Sequence, residues 1–190
     1  MGFLDTLLGR TKPVQANLDE LFALPGAALT LQAGTDFRPT GSGSVCFRAA
    51  EGKAFSDIEK DVRDLLNMGK DTRPVEVSTD AYRFTWLVSR HSPDDPEGLV
   101  TDLHAVNSSL QNGGFGPQLL CTIMAFRDSD GRSLGLVYLY KRGTFYPFAP
   151  LSGQQRNNAL ELQIRGALGA DLKIEPDLGR WMPIWGAPGL

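Results

Sequence analysis

The sequence predicts a single α+β domain in which helices flank a largely antiparallel sheet. Two apolar segments separated by a tight turn form the most apolar run in the chain, and amphipathic helical patterns lie on both sides of them. The 190 residues, 42% hydrophobic and 22% charged, suffice for one sizeable core. We therefore assign residues 1–190 to one domain, with an amphipathic N-terminal helix at 1–12 and a tail rich in Pro, Gly and Trp at 171–190.

The apolar run reads as a β-hairpin at the centre of the sheet. Its arms are Leu119–Arg127 and 134–141, and the connection at 128–131 contains Gly131, which supplies the positive φ that a tight hairpin turn needs. Neither arm alternates apolar with polar residues. Both faces of each strand are therefore expected to be covered by other parts of the chain.

The first ten residues place Phe3, Leu4, Leu7 and Leu8 on one side of a short helix. We expect this helix to dock on the core or on a neighbouring subunit. Contact with a partner protein or a membrane surface is the alternative, although two helical turns with a single basic residue bury little area.

A second helix is predicted from Val14, Leu18, Leu21 and Phe22, with Pro25 and Gly26 as its stop. Residues 27–33 and 45–49 then read as strands. The polar segment 34–44, rich in Gly, Ser and Pro, is expected to project into solvent as a loop.

The remaining periodic segments are three helices and one aromatic strand. A strand over 82–89 turns Tyr82, Phe84, Trp86 and Val88 inward with a period of two. The helices are indicated by apolar stripes at 3–4 spacing. Their members are Phe55, Ile58, Val62, Leu65 and Leu66; Leu99, Leu103, Val106 and Leu110; and Leu160, Ile164, Ala167 and Leu168.

His91 lies beside Asp94 and Asp95, and several acids near a histidine could form a metal or acid/base site. The flanking prolines favour a strand-to-helix loop whose acids cap the next helix. His104 has no partner histidine at ligand spacing. Since no catalytic motif accompanies these residues, we expect no enzyme, no cofactor and no metal.

Aromatic residues near the C-terminus are the candidates for partner contact. Phe145, Tyr146 and Phe148 follow Arg142 in a segment whose prolines restrict it to an edge strand or an extended connection. Trp181 and Trp185 lie in the tail, which we expect to pack on the surface of the domain or to contact a partner. Packing of the three aromatics over the sheet is the competing interpretation.

Charge, cysteine content and the lengths of the apolar runs argue against several classes of protein. With 19 basic and 22 acidic residues, a net charge of −3 and no Lys/Arg run, a general nucleic-acid binder is not expected. We expect Cys46 and Cys121 to be buried as small apolar residues. A disulfide or a metal-binding pair is the alternative. No run has the length of a membrane span, and no secretory signal opens the chain, so we expect a cytoplasmic protein.

Five separated blocks carry a resemblance that covers nearly the whole chain. They are MGFLDTLLGRTKP, NLDELFALPGAALTL, GLVTDLHAVNSSLQNGGFGPQLLC, VYLYKRGTFYPFAP and RWMPIWGAPGL. Together they resemble the phage-shock-protein-A-associated proteins called PspAB. The resemblance implies a cytoplasmic protein of the envelope-stress response, associated with a PspA-type coiled-coil protein or an HtpX-type membrane metalloprotease. It brings no catalytic residue.

We therefore expect a non-catalytic adaptor, with Phe3, Leu7, Arg142, the aromatic segment and the tail as contact surfaces, and peripheral membrane contact through residues 1–10 as an extension. A small-molecule or metal-dependent enzyme near His91 and a self-assembling structural protein are the alternatives. The order of elements suggests two loose β-β-α halves and is similar to the secretion-chaperone-like fold, which is an analogy of topology.

Overall fold

A computed structural model describes residues 17–48, 52–67 and 75–190 of the chain. The predicted N-terminal helix, with Phe3 and Leu7, lies outside these residues. Within them, a short 3₁₀-helix at Leu18–Ala23 leads into the first α-helix.

One six-stranded sheet organises the fold. Its strands are β1 (Arg38–Arg48), β2 (Glu76–Thr79), β3 (Phe84–Arg90), β4 (Leu119–Arg127), β5 (Ser133–Leu139) and β6 (Thr144–Phe148). They lie in the order β2-β3-β1-β4-β5-β6, and each neighbouring pair is antiparallel. Among the described residues, four α-helices accompany the sheet, α1 (Leu24–Gly34), α2 (Lys53–Asn67), α3 (Pro96–Leu110) and α4 (Asn158–Leu168), and β7 (Pro150–Leu151) and β8 (Gln155–Arg156) form a short ribbon. The predicted α+β fold is confirmed.

The predicted hairpin is the β4–β5 pair in the middle of the sheet. Cys121 lies opposite Leu139 and Arg127 opposite Ser133, and Gly131 adopts a φ of 81° in the turn. Leu134 and Leu136 pack with the helices, while Ile123 and Val137 face the other side. Both faces of the hairpin are therefore covered, as its lack of alternation predicted.

The two faces of the sheet are covered by different kinds of structure. All four helices contribute to the core on one face, through residues such as Leu31, Leu103 and Ile164. The other face is covered by the C-terminal tail, whose Trp181 and Ala187 pack into a second cluster. None of the described helices combines the length and the apolar character that crossing a membrane would require.

The prediction of a strand at 27–33 is wrong, because these residues belong to α1. Leu24, Ala27, Ala28 and Leu31 are all buried, and their spacing is that of one face of a helix. Pro25 occupies the first turn of α1, where a missing N–H costs nothing, so it starts the helix and does not end the preceding one.

The expectation of a solvent-exposed loop at 34–44 is also wrong. Most of this segment forms β1, whose residues 40–47 are buried or nearly so, and β1 lies between β3 and β4. The small side chains that suggested a loop serve close packing, since Gly43 lies against Leu103 of α3. Gly41, with a φ of 74°, accompanies an irregularity between Pro39 and Gly43 in the pairing with β4.

Two further predictions concern the start of β3 and the position of β6 in the sheet. Tyr82 lies in that turn, not in the strand, and is exposed. Strand β6 lies at the edge of the sheet, as its prolines predicted. The Phe145 amide donates to the Lys173 carbonyl (2.8 Å), and the Glu175 amide donates to the Phe145 carbonyl (2.7 Å), so the tail covers this edge.

Candidate functional site

The candidate site forms where the tail crosses the face of the sheet that the helices leave open. Trp181 stacks on Tyr146 of β6 with ring centroids 6.0 Å apart, and Trp185 meets the Phe148 ring edge-on at 5.0 Å. Aromatic pairs in such geometries stabilise a contact beyond their buried area. The two tryptophans therefore dock the tail on this chain's own sheet.

Hydrogen bonds hold the tail in this position. The Trp181 indole N–H donates to the Glu175 carbonyl (3.0 Å), and the Tyr146 hydroxyl donates to the Met182 carbonyl (2.8 Å). Arg156 donates to the Trp181 carbonyl. Burial raises the pKa of Tyr146, so its hydroxyl stays protonated as a donor.

Between the tail and the sheet lies an apolar cavity of about 330 Å³, which we call the tail pocket. The sheet and the turn before β3 contribute Cys46, Asp80, Tyr82, Phe84, Trp86, Leu120, Cys121, Leu139 and Tyr146, and the tail contributes Met182, Pro183, Ile184 and Trp185. Among these, Asp80 alone carries a charge. A concave site of this size and lining suits an apolar side chain or a small apolar ligand.

Asp80 shapes one wall of the tail pocket. One of its carboxylate oxygens accepts the amides of Tyr82 (2.9 Å) and Phe84 (3.0 Å), and the other accepts the Trp86 indole N–H (2.9 Å). These bonds close the turn before β3 and satisfy the polar atom of the indole. Trp86 can therefore present an apolar surface to the cavity.

The rim of the tail pocket is apolar and open to solvent. Tyr82 is 57% exposed and Met182 is 59% exposed, and they come from the turn before β3 and from the tail. Large apolar side chains exposed around a concave apolar site are typical of surfaces that bind another molecule.

The predicted contact residues that the structure describes are buried, half-buried or exposed. Phe145, Tyr146 and Phe148 are buried, with Phe145 facing the helices against Tyr138, so a partner cannot reach them without opening the chain. This burial corrects the expectation of an aromatic contact surface on β6 and agrees with the packing interpretation.

The other predicted contacts that the structure describes differ in their exposure. Trp181 is buried against Tyr146 of the sheet, whereas Trp185 is half-buried and lines the tail pocket. Arg142 is exposed and donates to the buried carboxylate of Glu175 (3.3 Å). Of the six predicted contact residues that the structure describes, Tyr146 and Trp185 line the tail pocket.

His91 and the acids near it form a closed cluster. Its Nδ1 lies 2.8 Å from Asp95 and its Nε2 lies 2.8 Å from Asp102, which also accepts the Ser89 hydroxyl (2.6 Å). Burial acts to lower the pKa of His91, but hydrogen bonds and charges from the two carboxylates outweigh it and raise the pKa. With both ring nitrogens engaged, the cluster ties the end of β3 to α3.

Asp95 also caps α3 by accepting the Gly98 amide (2.9 Å), as the loop-and-cap interpretation predicted. Asp94 is exposed. His104 lies elsewhere, 3.4 Å from Asp19 and with its ring 4.8 Å from that of Phe22. Within the described part of the chain, no group of three or more His, Cys, Asp or Glu side chains is arranged to hold a metal ion.

Sequence reasoning missed Asp80 and Asp102, and it gave a pairing of Cys46 with Cys121 only as the alternative to two buried cysteines. An aspartate two residues before Tyr82 and four before Phe84 is a signal for a turn that its carboxylate closes, so Asp80 was detectable. The partners of His91 and of the cysteines depend on strand pairing and helix placement, which have no local signal.

Comparison with known proteins adds the identity of the family. No curated protein and no solved structure matches the chain, so the likeness to secretion chaperones stays a prediction. A family model described as PspAB, PspA associated protein B, matches residues 1–189, essentially the whole chain. The chain therefore belongs to the PspA associated protein B family.

Proposed function

We propose that this protein is a non-catalytic adaptor of the PspA system and that the tail pocket receives an apolar side chain of its protein partner. The tail pocket with its exposed apolar rim is the observation that supports this proposal. Membership of a family named for association with PspA supports a partner from that system.

The chemistry of the tail pocket suits one apolar anchor from a helix. A cavity of about 330 Å³ accommodates one or two large apolar side chains, and the aromatic walls supply a rigid surface for them. A coiled-coil helix presents apolar side chains at regular spacing. The partner proposed first is therefore a PspA-type coiled-coil protein, and an HtpX-type membrane protease is the alternative.

The test measures binding of the purified chain to a purified PspA-type protein by isothermal titration calorimetry. The double variant Tyr82→Ala, Met182→Ala removes the apolar rim while leaving the buried cluster intact. We expect its affinity to fall by about tenfold or more, as when central anchors of an interface are lost.

A matched control replaces two apolar residues of similar exposure outside the tail pocket. Leu162 is 49% exposed and Leu178 is 50% exposed, and neither lines the cavity. The variant Leu162→Ala, Leu178→Ala should bind with unchanged affinity. Equal affinities of both double variants, or no binding by the unaltered chain to either partner, would count against the proposal.

A further inference from the structure

The floor of the tail pocket contains two free thiols that face each other. Cys46 of β1 and Cys121 of β4 are direct partners in the antiparallel register, although 75 residues separate them in sequence. Both side chains belong to the cluster on the tail side of the sheet, and both line the tail pocket.

This placement meets the geometric requirement of a disulfide. Directly opposite residues in an antiparallel pair have Cα atoms about 4.5–5.5 Å apart, and disulfides span Cα separations of about 4.4–6.8 Å. A bond between the two sulfurs therefore needs little movement of the β1 or β4 backbone.

We propose that Cys46 and Cys121 form a redox-active dithiol that a hydroperoxide entering the tail pocket converts to a disulfide. The cavity supplies the path, because it opens to solvent at Tyr82 and Met182 and has the two cysteines in its lining. The second thiol lies beside the first and reacts with its sulfenic acid. Oxidation therefore stops at the disulfide and does not continue to a sulfinic or sulfonic acid.

The electrons and atoms balance in two steps. The Cys121 sulfur attacks a peroxide oxygen, an S–O bond forms, the O–O bond breaks, and the other oxygen leaves as water or an alcohol with the thiol proton. The Cys46 sulfur then attacks the sulfenic sulfur of Cys121, an S–S bond forms, and the S–O bond breaks to release water. Each sulfur loses one electron, and the peroxide gains two.

Cys121 is assigned to the first attack because it is the more accessible thiol. It is 7% exposed, against 3% for Cys46. The neighbouring Cys121 thiol, together with burial, raises the pKa of Cys46, which disfavours its thiolate.

A metal bound by the same pair is disfavoured by the surroundings. Beyond the two sulfurs, the acidic residue that lines the tail pocket is Asp80, and its carboxylate already accepts three hydrogen bonds from the turn and from Trp86. Divalent zinc takes four ligands in structural sites. The described residues around the pair therefore fit disulfide formation better than zinc binding.

The test treats the purified full chain with hydrogen peroxide, then denatures it and alkylates it with iodoacetamide. We expect loss of two hydrogen masses, no alkylation at either cysteine, and a cross-linked peptide containing Cys46 and Cys121 in a digest without reductant. The oxidised chain should melt roughly 5 °C or more higher, reversibly with reductant, because the bond closes a long loop.

Single variants make the order of attack testable. In Cys46→Ser, peroxide should leave a sulfenic acid at Cys121 that dimedone traps, whereas Cys121→Ser should leave Cys46 largely reduced. Full alkylation of both cysteines in the peroxide-treated unaltered chain, or oxidation without the cross-linked peptide, would overturn the inference. The readout involves no partner, so its failure is distinct from failure of the proposed adaptor function.

Discussion

Gly43 of β1 lies directly beneath Leu103 of α3. A Cβ atom added at Gly43 would come within 2.8 Å of Leu103 Cδ1 and 3.1 Å of the Ile123 carbonyl oxygen. The leucine could move aside, but the carbonyl belongs to the β4 backbone and cannot move without disturbing the sheet. This glycine therefore sets how closely the helix layer approaches the middle of the sheet.

Replacing Gly43 with valine should destabilise the protein by roughly 1–3 kcal/mol, because the added atoms overpack the contact between α3 and the sheet. Gly26 of α1 is the matched control, since an added Cβ there meets nothing within 4 Å. Gly26→Ala should be neutral or stabilise by about 0.5–1 kcal/mol. Urea unfolding of both variants checks this, and equal effects would contradict the assigned role of Gly43.

The His91 cluster should make stability depend on pH above the ordinary histidine pKa of 6.5. Its folded-state pKa is raised above the ordinary 6.5. The cluster's contribution is therefore fully present below pH 6.5 and is lost as the pH rises through the folded pKa. Melting temperatures of the unaltered chain should fall more between pH 6 and pH 9 than those of His91→Gln. Parallel curves for the two proteins would exclude this linkage.

The contribution of Asp95 to stability should be lost at acidic pH. Its hydrogen bond with His91, followed by the one from the Gly98 amide, lowers the pKa of its carboxyl below 3.8. The contribution of Asp95 is present above pH 3.8 and is lost as the pH falls through the lower folded value. Asp95→Asn should therefore reduce the difference in melting temperature between pH 5 and pH 2.5, as followed by circular dichroism.

Trp181 should contribute strongly to stability through the tail. It is buried, stacks on Tyr146 and donates to the Glu175 carbonyl. Trp181→Ala should cost roughly 3–5 kcal/mol, as for other large aromatic truncations in a core. The exposed neighbour Met182 serves as control, and Met182→Ala should change stability by less than about 0.5 kcal/mol. Guanidinium unfolding measures the loss of unfolding free energy in each variant. Similar losses for Trp181→Ala and Met182→Ala would show that the tail is not docked in solution and would contradict the prediction.

Thr144 should contribute to stability because its hydroxyl donates a hydrogen bond to a buried carboxylate. Its hydroxyl donates to Glu175 (2.8 Å), whose side chain is fully buried and also accepts from Arg142. Thr144→Val keeps the shape and removes the donor, and should cost roughly 1.5–3 kcal/mol at pH 7. Thr101→Val, at an exposed helix position, should cost less than about 0.5 kcal/mol. Chemical denaturation of both variants at pH 7 compares them.

The central hairpin and three of the four described α-helices were predictable because their signals are local. Gly131 marks the hairpin turn, and the apolar stripes of α2, α3 and α4 follow the helical period. The errors at α1 and β1 share one cause. Pro25, Gly26, Gly41 and Gly43 are residue types that indicate breaks in a sequence, whereas their positions in the tertiary structure make them a helix start and a close packing surface.

The sequence by itself determined the fold class and the membership of a family named for PspA association, because periodicity and overall similarity are properties of the chain in order. Tertiary structure alone decided that Cys46 faces Cys121, that Asp102 joins His91, and that Trp185 closes an apolar cavity instead of standing free. Each of these relationships joins residues from different elements. They depend on strand order and on the path of the tail, for which no local pattern of residues codes.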